Sequence, residues 1–514
     1  MGERAAGLAW REAAWRCGLP LAVILFHGLF AAGYGVFRDE LYYIACGRHL
    51  DWGYVDHPPV VALVAALSER LFGPSWIALR WISALAAGLT VLFVGETARL
   101  LGGGRFARGL AQLLAALAPV FVALAATYSM NPLDLLLWAG LFALAARLLA
   151  GGDPRLWLAF GALAGLALQT KLSGLYVGAG LVAGLLVARR WDLFGRRWLW
   201  VGGGVAALLL APHLLWQVAH GWPTLEFVEN ARRIKIQAMA PHEFVLAQFL
   251  QAGPAGFALA LGGVAWLLAA RPARPWRALG WGALATLAIL AFGRSKPYYF
   301  APVFALLFPA AAVAVEGWSG AAAPRVRGLV RAAAVALVAL QALLLPFAKP
   351  LLPVESYLRY AAALGVEAGS SENQRLGRLP QYFADMHGWE ELARSVARVV
   401  AELPEVDRAR ACVFAQNYGE AGAIDLFGPG LGLPPAISGH NSYWLWGPGA
   451  CTGEVVIVLG GDRAENEASF ESLEFGGVHR CTDCMPYEDE LAIWIGRNLR
   501  AEIGDAWGRT RRYI

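Results

Sequence analysis

The chain has 514 residues, of which 58% are hydrophobic and only 16% charged, and its mean hydropathy is +0.49. Soluble domains are not this apolar, so the composition describes a polytopic membrane protein. The net charge of +5 does not call for nucleic acid, because the basic residues fall in short clusters between apolar runs, where membrane topology accounts for them.

Read with a window of about 19 residues, apolar runs near 19–36, 78–100, 106–125, 133–150, 156–170, 174–188, 198–218, 244–269, 278–292, 298–316 and 330–348 predict about eleven transmembrane helices. The first run has no clear small-residue cleavage site, so it reads as a span and not as a removable leader. A cytoplasmic N-terminus with Arg4, Arg11 and Arg16 puts Arg105/Arg108, Arg147/Arg155, Arg189/Arg190/Arg196/Arg197, Arg271/Arg274/Arg277 and Arg325/Arg327/Arg331 on the cytoplasmic side. Every such turn is then basic, as the positive-inside rule requires.

The same count places other charges on the opposite face, where topology does not explain them. The first external loop, F-R-D-E-L-Y-Y-I-A-C-G-R-H-L-D-W-G-Y-V-D-H-P-P, carries Asp39, Glu40, Asp56 and His57. Asp39 and Glu40 could simply open a solvated loop. Against that, Leu41, Tyr42, Ile44 and Leu50 interleave with Arg48 and His49 in a segment suited to lie along the membrane interface, holding the acids at that depth. Asp56-His57-Pro58-Pro59 reads as a fixed turn. Further along come Tyr128 to Asp134, Lys171 in Q-T-K-L-S-G, a charged helical stretch within 219–243 that includes V-E-N-A-R-R-I-K, and Arg294 and Lys296 in F-G-R-S-K-P-Y-Y-F. Gly221, Pro223 and Pro241 flank the 219–243 stretch and suggest a loop that moves.

From about Lys349 the composition changes. Residues 350–514 read as a soluble external α/β domain, with β-rich runs at 411–415, 454–461 and 491–496 and a helical N-Y-G-E-A-G-A-I-D-L-F. Four of the six cysteines, Cys412, Cys451, Cys481 and Cys484, lie here. In an oxidising compartment they favour disulfides, with three connectivities open, while C-T-D-C alone is a thin basis for a zinc site.

Cations on the outer face at membrane depth need an anion, and the cheapest is a lipid phosphate, which Arg and Lys bind by charge-assisted hydrogen bonds. Two acids beside such a basic set suit transfer of a sugar from a lipid phosphate: a carboxylate takes the proton of a hydroxyl, and the cations stabilise the departing phosphate. A transporter or flippase would place its ionisable groups nearer the bilayer midplane, where this chain has few. A non-catalytic lipid-binding scaffold is the other reading, and it predicts that Asp39 is dispensable.

With the D-E pair after the first span, the acid-cation-Pro turn, T-K after the fifth span, K-P-Y-Y-x-x-P before a late span and an external C-terminal domain, the chain resembles the membrane glycosyltransferases of the C superfamily (GT-C). More narrowly it is similar to the bacterial branch related to protein O-mannosyltransferases and to the lipid A aminoarabinose transferases. The resemblance implies a mainly α polytopic membrane domain over 1–349, with loop helices at 37–76 and 219–243, followed by a periplasmic α/β domain over 350–514. It implies Asp39 as catalytic base, with Glu40 and Asp56 as accompanying acids. His57, Lys171, Arg233, Arg294, Lys296 and Tyr299 fall on donor lipid-phosphate contacts. It also leaves open a divalent metal ion at Asp56, although the histidine of the related V-E-H segment is Asn230 here. The implied donor is a polyprenyl-phosphate sugar, with undecaprenyl phosphate as the expected carrier. The implied acceptor is periplasmic (lipid A, a cell-envelope glycan or a protein hydroxyl), the location the bacterial inner membrane, and the outcome inversion at the anomeric carbon, with membrane lipids and no nucleic acid as partners.

Overall fold

The computed structural model describes residues 2–370 and 372–514, with side chains from residue 15 onward, so Arg4 and Arg11 lie outside the described side chains. The chain divides into two compact units. The first comprises Met1–Ala31, Ile77–Leu215 and Ala238–Leu351; the second comprises Ala32–Trp76, Trp216–Gln237 and Leu352–Ile514. The C-terminal residues are therefore not a unit by themselves, because the first external loop and the 216–237 segment belong with them.

The first unit is helical, as the requirement to satisfy every backbone group inside lipid dictates. Among the described residues six helices are long and apolar enough to cross a membrane: Trp76–Leu100, Met130–Leu149, Arg197–Ala219, Arg274–Phe292, Pro297–Gly320 and Pro324–Ala348. A seventh is reached if the pair Pro241–Ala252 and Pro254–Ala269, bent by 115°, counts as one. Leu156–Thr170 and Gly174–Val187 match the expected runs at 156–170 and 174–188, and at 15 and 14 residues are short for a crossing. The run at 106–125 breaks into Arg105–Leu117 and Pro119–Leu124, with Ala118 extended between them, because Pro119 can open a helix but not continue one.

The helix Ala301–Gly320 is buried on all sides from Ala301 to Val313, the signature of a core helix. Here and elsewhere in the unit, helices come close through small residues. A Cβ on Gly263 would stand 2.5 Å from the Leu307 carbonyl, and one on Gly184 would stand 2.1 Å from the Ala278 carbonyl. Small residues in this role let helix backbones touch where no hydrophobic effect drives them together. By contrast, Arg197–Ala219 and Pro324–Ala348 leave most of their apolar surface exposed, as segments facing hydrocarbon do.

In the second unit a five-stranded mixed sheet runs in the order β2-β1-β3-β5-β4. β1 (Ala411–Ala415) pairs in parallel with β2 (Ala436–Ser438) and β3 (Val455–Leu459), while β5 (Leu491–Leu499) runs antiparallel to both β3 and β4 (Phe470–His479). The expected strands match β1, β3 and β5, and the expected helix is Tyr418–Phe427, with the Asn417 side chain accepting from the amides of Gly419 and Glu420. Cys412 and Cys451 form a disulfide within a small apolar cluster with Val456, Val458 and Phe470. Cys481 and Cys484 are free thiols.

The disulfide spans 39 residues, so replacing Cys412 or Cys451 with Ser is expected to cost about 2–4 kcal/mol by freeing the unfolded chain. Non-reducing peptide mapping should recover the 412–451 pair, and thermal unfolding with and without reductant should show the loss in wild-type protein only.

Candidate active site

The helix Arg38–Arg48 follows the first apolar helix, with Asp39 and Glu40 in its first turn, where the helix dipole favours negative charge. Phe37, at the N-cap, has no side-chain acceptor, so the Glu40 carboxylate takes the Phe37 amide at 2.7 Å instead. Glu40 is wholly buried and occupied with this cap. Asp39 is half-buried, and its Oδ1 accepts a hydrogen bond from the Tyr418 hydroxyl at 2.8 Å. Arg38 between them is buried. Its guanidinium lies 4.6 Å from the Tyr418 ring centroid and donates to the Tyr487 hydroxyl at 2.8 Å, while its amide donates to the Asp385 carbonyl at 2.9 Å. Burial, relieved in part by Arg38, pushes the Asp385 carboxyl up to about 7.

Asp56 accepts a hydrogen bond from the Tyr42 hydroxyl at 2.8 Å, and that hydroxyl is also bonded at 2.7 Å to the Ser442 hydroxyl. Burial raises the Asp56 carboxyl above its ordinary value, with His57 opposing. His57 is enclosed by the rings of Tyr54 at 4.6 Å, Tyr43 at 5.2 Å and Tyr42 at 5.7 Å. Its Nδ1 bonds the Pro58 carbonyl at 2.9 Å, and burial lowers its pKa. The imidazole is therefore neutral and held in an aromatic cage, which is not how a cation is offered to a phosphate.

Arg233 is exposed in a five-residue π-helical turn, Ala231–Lys235, a geometry often found at functional positions. The turn is pinned on both sides. Asn230 donates to the Tyr513 carbonyl at 2.8 Å, and the Lys235 carbonyl accepts from the Asn373 amide at 2.9 Å.

In the first unit the structure joins three stretches that the sequence keeps far apart. Lys171, buried at the end of helix Leu156–Thr170, donates to Asn131 Oδ1 at 2.7 Å. Its ammonium lies 4.5 Å from the Tyr299 ring and 5.0 Å from the Tyr298 ring, and it interacts electrostatically with Asp134 and, repulsively, with Lys296. Two ammonium groups near enough to repel, with aromatic faces beside one of them, form a local cationic site. Arg294 is exposed next door, in a left-handed conformation with φ +52°, which a non-glycine residue adopts at a cost.

The surroundings of Asp56 do not fit a metal. Its partner is a tyrosine hydroxyl, and among the described residues no three His, Cys, Asp or Glu side chains gather in an arrangement that could hold one. The same finding applies to C-T-D-C. Arg38, Tyr42, Asp385 and Tyr418 are the residues that sequence reasoning did not assign to the site. The signal was there in N-Y-G-E-A-G-A, a motif with no role until its tyrosine is seen on Asp39.

Residues 56–216 match the sequence family described as dolichyl-phosphate-mannose-protein mannosyltransferase. No curated protein matches the whole sequence. The structure resembles that of ArnT from Cupriavidus metallidurans bound to undecaprenyl phosphate, with 17% identity over 93% of this chain and 97% of that one and a TM-score of 0.59. The apo form of the same protein aligns with 19% identity, 95% and 98% coverage and a TM-score of 0.59. The archaeal oligosaccharyltransferase AglB from Archaeoglobus fulgidus aligns at 13% identity over 81% of this chain and 64% of that one, with a TM-score of 0.47. The family match over residues 56–216 and the ArnT-like fold agree with the resemblance read from the sequence, and the chain is a multi-pass membrane protein of that fold.

Folding raises the Asp385 carboxyl from 3.8 to about 7, so the native state binds this proton more tightly than the unfolded chain. The resulting stabilisation is complete below about pH 4 and is lost as pH rises through about 7. Asp385→Asn, which mimics the protonated acid, should gain stability relative to wild type between pH 5 and pH 8, by at most about 4 kcal/mol. Thermal unfolding of detergent-solubilised protein across that range measures it, and a difference independent of pH would show that Asp385 is not the group responsible.

Proposed function

We propose that this chain transfers a single sugar from a polyprenyl-phosphate-linked donor, with undecaprenyl phosphate as carrier, to a hydroxyl on the periplasmic side of the bacterial inner membrane. The acceptor class is lipid A, an envelope glycan or a protein. The observation that carries the reading is the state of three of the loop's four acids, Asp39, Glu40 and Asp56. Glu40 is used as a helix cap. Asp39 and Asp56 are both partly exposed, each with one oxygen held by a tyrosine hydroxyl, but the hydroxyl on Asp56 is shared with Ser442, which ties Asp56 into that network and leaves Asp39 as the acid assigned to be the base.

In this reading the acceptor hydroxyl attacks the anomeric carbon, its proton passes to Asp39, and the bond to the phosphate oxygen breaks on the opposite face with inversion. A phosphate is a good leaving group, so a single base suffices and no general acid is required. Lys171, Lys296 and Tyr299 are assigned to the donor's phosphate, with Arg294 and Arg233 as outer cations, because preorganised cations are worth most where negative charge develops. His57 and Glu40 are assigned to holding the loop in shape. The about eleven crossings expected from hydropathy are reached when the bent pair, the shorter apolar helices at 15–29, 156–170 and 174–187, and the broken segment at 105–124 also cross. The N-terminus is then cytoplasmic and residues 350–514 periplasmic.

Asp39→Asn should lower transfer by about 10²-fold or more at unchanged expression. It is read by mass spectrometry of lipid A, envelope glycans and periplasmic proteins as the loss of one sugar increment. Unchanged glycans, in a background where deleting the gene does alter one, would remove Asp39 from the mechanism. Lys296→Ala and Arg233→Ala should mainly raise the donor KM, by about 10-fold for each lost charge-assisted contact, as measured with a purified polyprenyl-phosphate sugar.

A further inference from the structure

The N-Y-G-E-A-G-A segment is built to lie against the helix that carries Asp39. A Cβ on Gly419 would stand 2.7 Å from Arg38 Cγ and 2.9 Å from the Trp389 ring, and one on Gly422 would stand 2.8 Å from Leu41 Cβ. Spaced three apart, these glycines fall on one face of the helix Tyr418–Phe427 and allow it to approach the Arg38–Arg48 backbone. Asn417 fixes the start of the helix. Its Oδ1 takes two amides, and its Nδ2 donates to Glu420 at 2.6 Å and to Glu488 at 2.9 Å. Tyr418, the residue so placed, is buried. It stacks on Tyr42 with centroids 4.7 Å apart and packs beside His440, also at 4.7 Å, and its hydroxyl reaches Asp39 Oδ1.

We propose that Tyr418 is a positioning residue for Asp39: its hydroxyl holds one carboxylate oxygen in place and leaves the other to take the acceptor's proton. This rests on the reading of Asp39 as base. Ring packing alone would account for a buried aromatic here, but not for a hydroxyl placed on the one partly exposed acid of the first turn. The tyrosine and the acid are 379 residues apart in sequence, so C-terminal residues take part in setting the geometry of the first loop. The charged and titratable groups around Asp39 are Arg38, Asp56, His57, Asp385 and Tyr418 itself; removing the Tyr418 oxygen takes away its electrostatic interaction with Arg38 and Asp56 but leaves the ring face against Arg38.

Tyr418→Phe keeps the ring and removes only the donor. The expected result is a kcat lower by about 10- to 100-fold, as for a slightly misplaced catalytic group, at an unchanged KM for the donor. Added to Asp39→Asn, the same change should have no further effect on rate. A wild-type kcat overturns the proposal. A thermal-unfolding cycle on Tyr418→Phe, Asp39→Asn and the double variant tests the contact without reference to activity: non-additive losses are expected, and additive losses overturn the proposal. Coupling in the cycle, in a protein that transfers no sugar from any polyprenyl-phosphate donor, would overturn both the positioning role and the assigned function and leave a structural contact.

Discussion

The second unit is organised around one buried guanidinium. Removing an arginine from water costs several kcal/mol unless its hydrogen bonds and charge are met inside the protein. Arg38 meets that demand with the Tyr487 hydroxyl, the face of the Tyr418 ring and the neighbourhood of Asp385. Those partners come from three places beyond residue 384, so satisfying Arg38 ties the first loop to the C-terminal residues. Asp39 is the next residue in the helix, and its position follows from that of Arg38. The acid proposed as base is thus located by a cation to which the proposal assigns no chemistry.

The same economy governs the rest of the loop. Tyr42 links Asp56 to Ser442 through a single hydroxyl, and His57 fills the space among Tyr42, Tyr43 and Tyr54 as a neutral ring. In the first unit, Lys171 is held between Asn131 and the two tyrosines of K-P-Y-Y. This lysine is held by an amide oxygen and aromatic faces, with Asp134 attracting it and Lys296 repelling it.

Much of this was legible in the sequence, and the failures have physical causes. Spans could be read because lipid admits only continuous apolar helices, yet their number was not, since Pro119 and the bend at Gly253-Pro254 interrupt helices without altering hydropathy. The strands β1, β3 and β5 showed as short apolar β-branched runs, whereas β4, F-E-S-L-E-F-G-G-V-H, alternates charge and glycine and is stabilised by its pairing with β5. Asp39 stood out because an acid at membrane depth needs a reason. Tyr418 did not, because a tyrosine at the start of a helical segment gives no sign of a partner 379 residues away. His57 illustrates the converse: the sequence offers a cation, and burial among aromatic rings removes the charge.

The central claim is a direct displacement at the anomeric carbon, with one carboxylate as base and a phosphate as leaving group. The measurement that tests it most directly is the anomeric configuration of the transferred sugar, determined by NMR on product made by purified protein from a polyprenyl-phosphate donor of known configuration. A direct displacement predicts inversion. Retention would contradict the account, because it requires a covalent sugar–enzyme intermediate and a second displacement, and Asp39 would then have to act as a nucleophile.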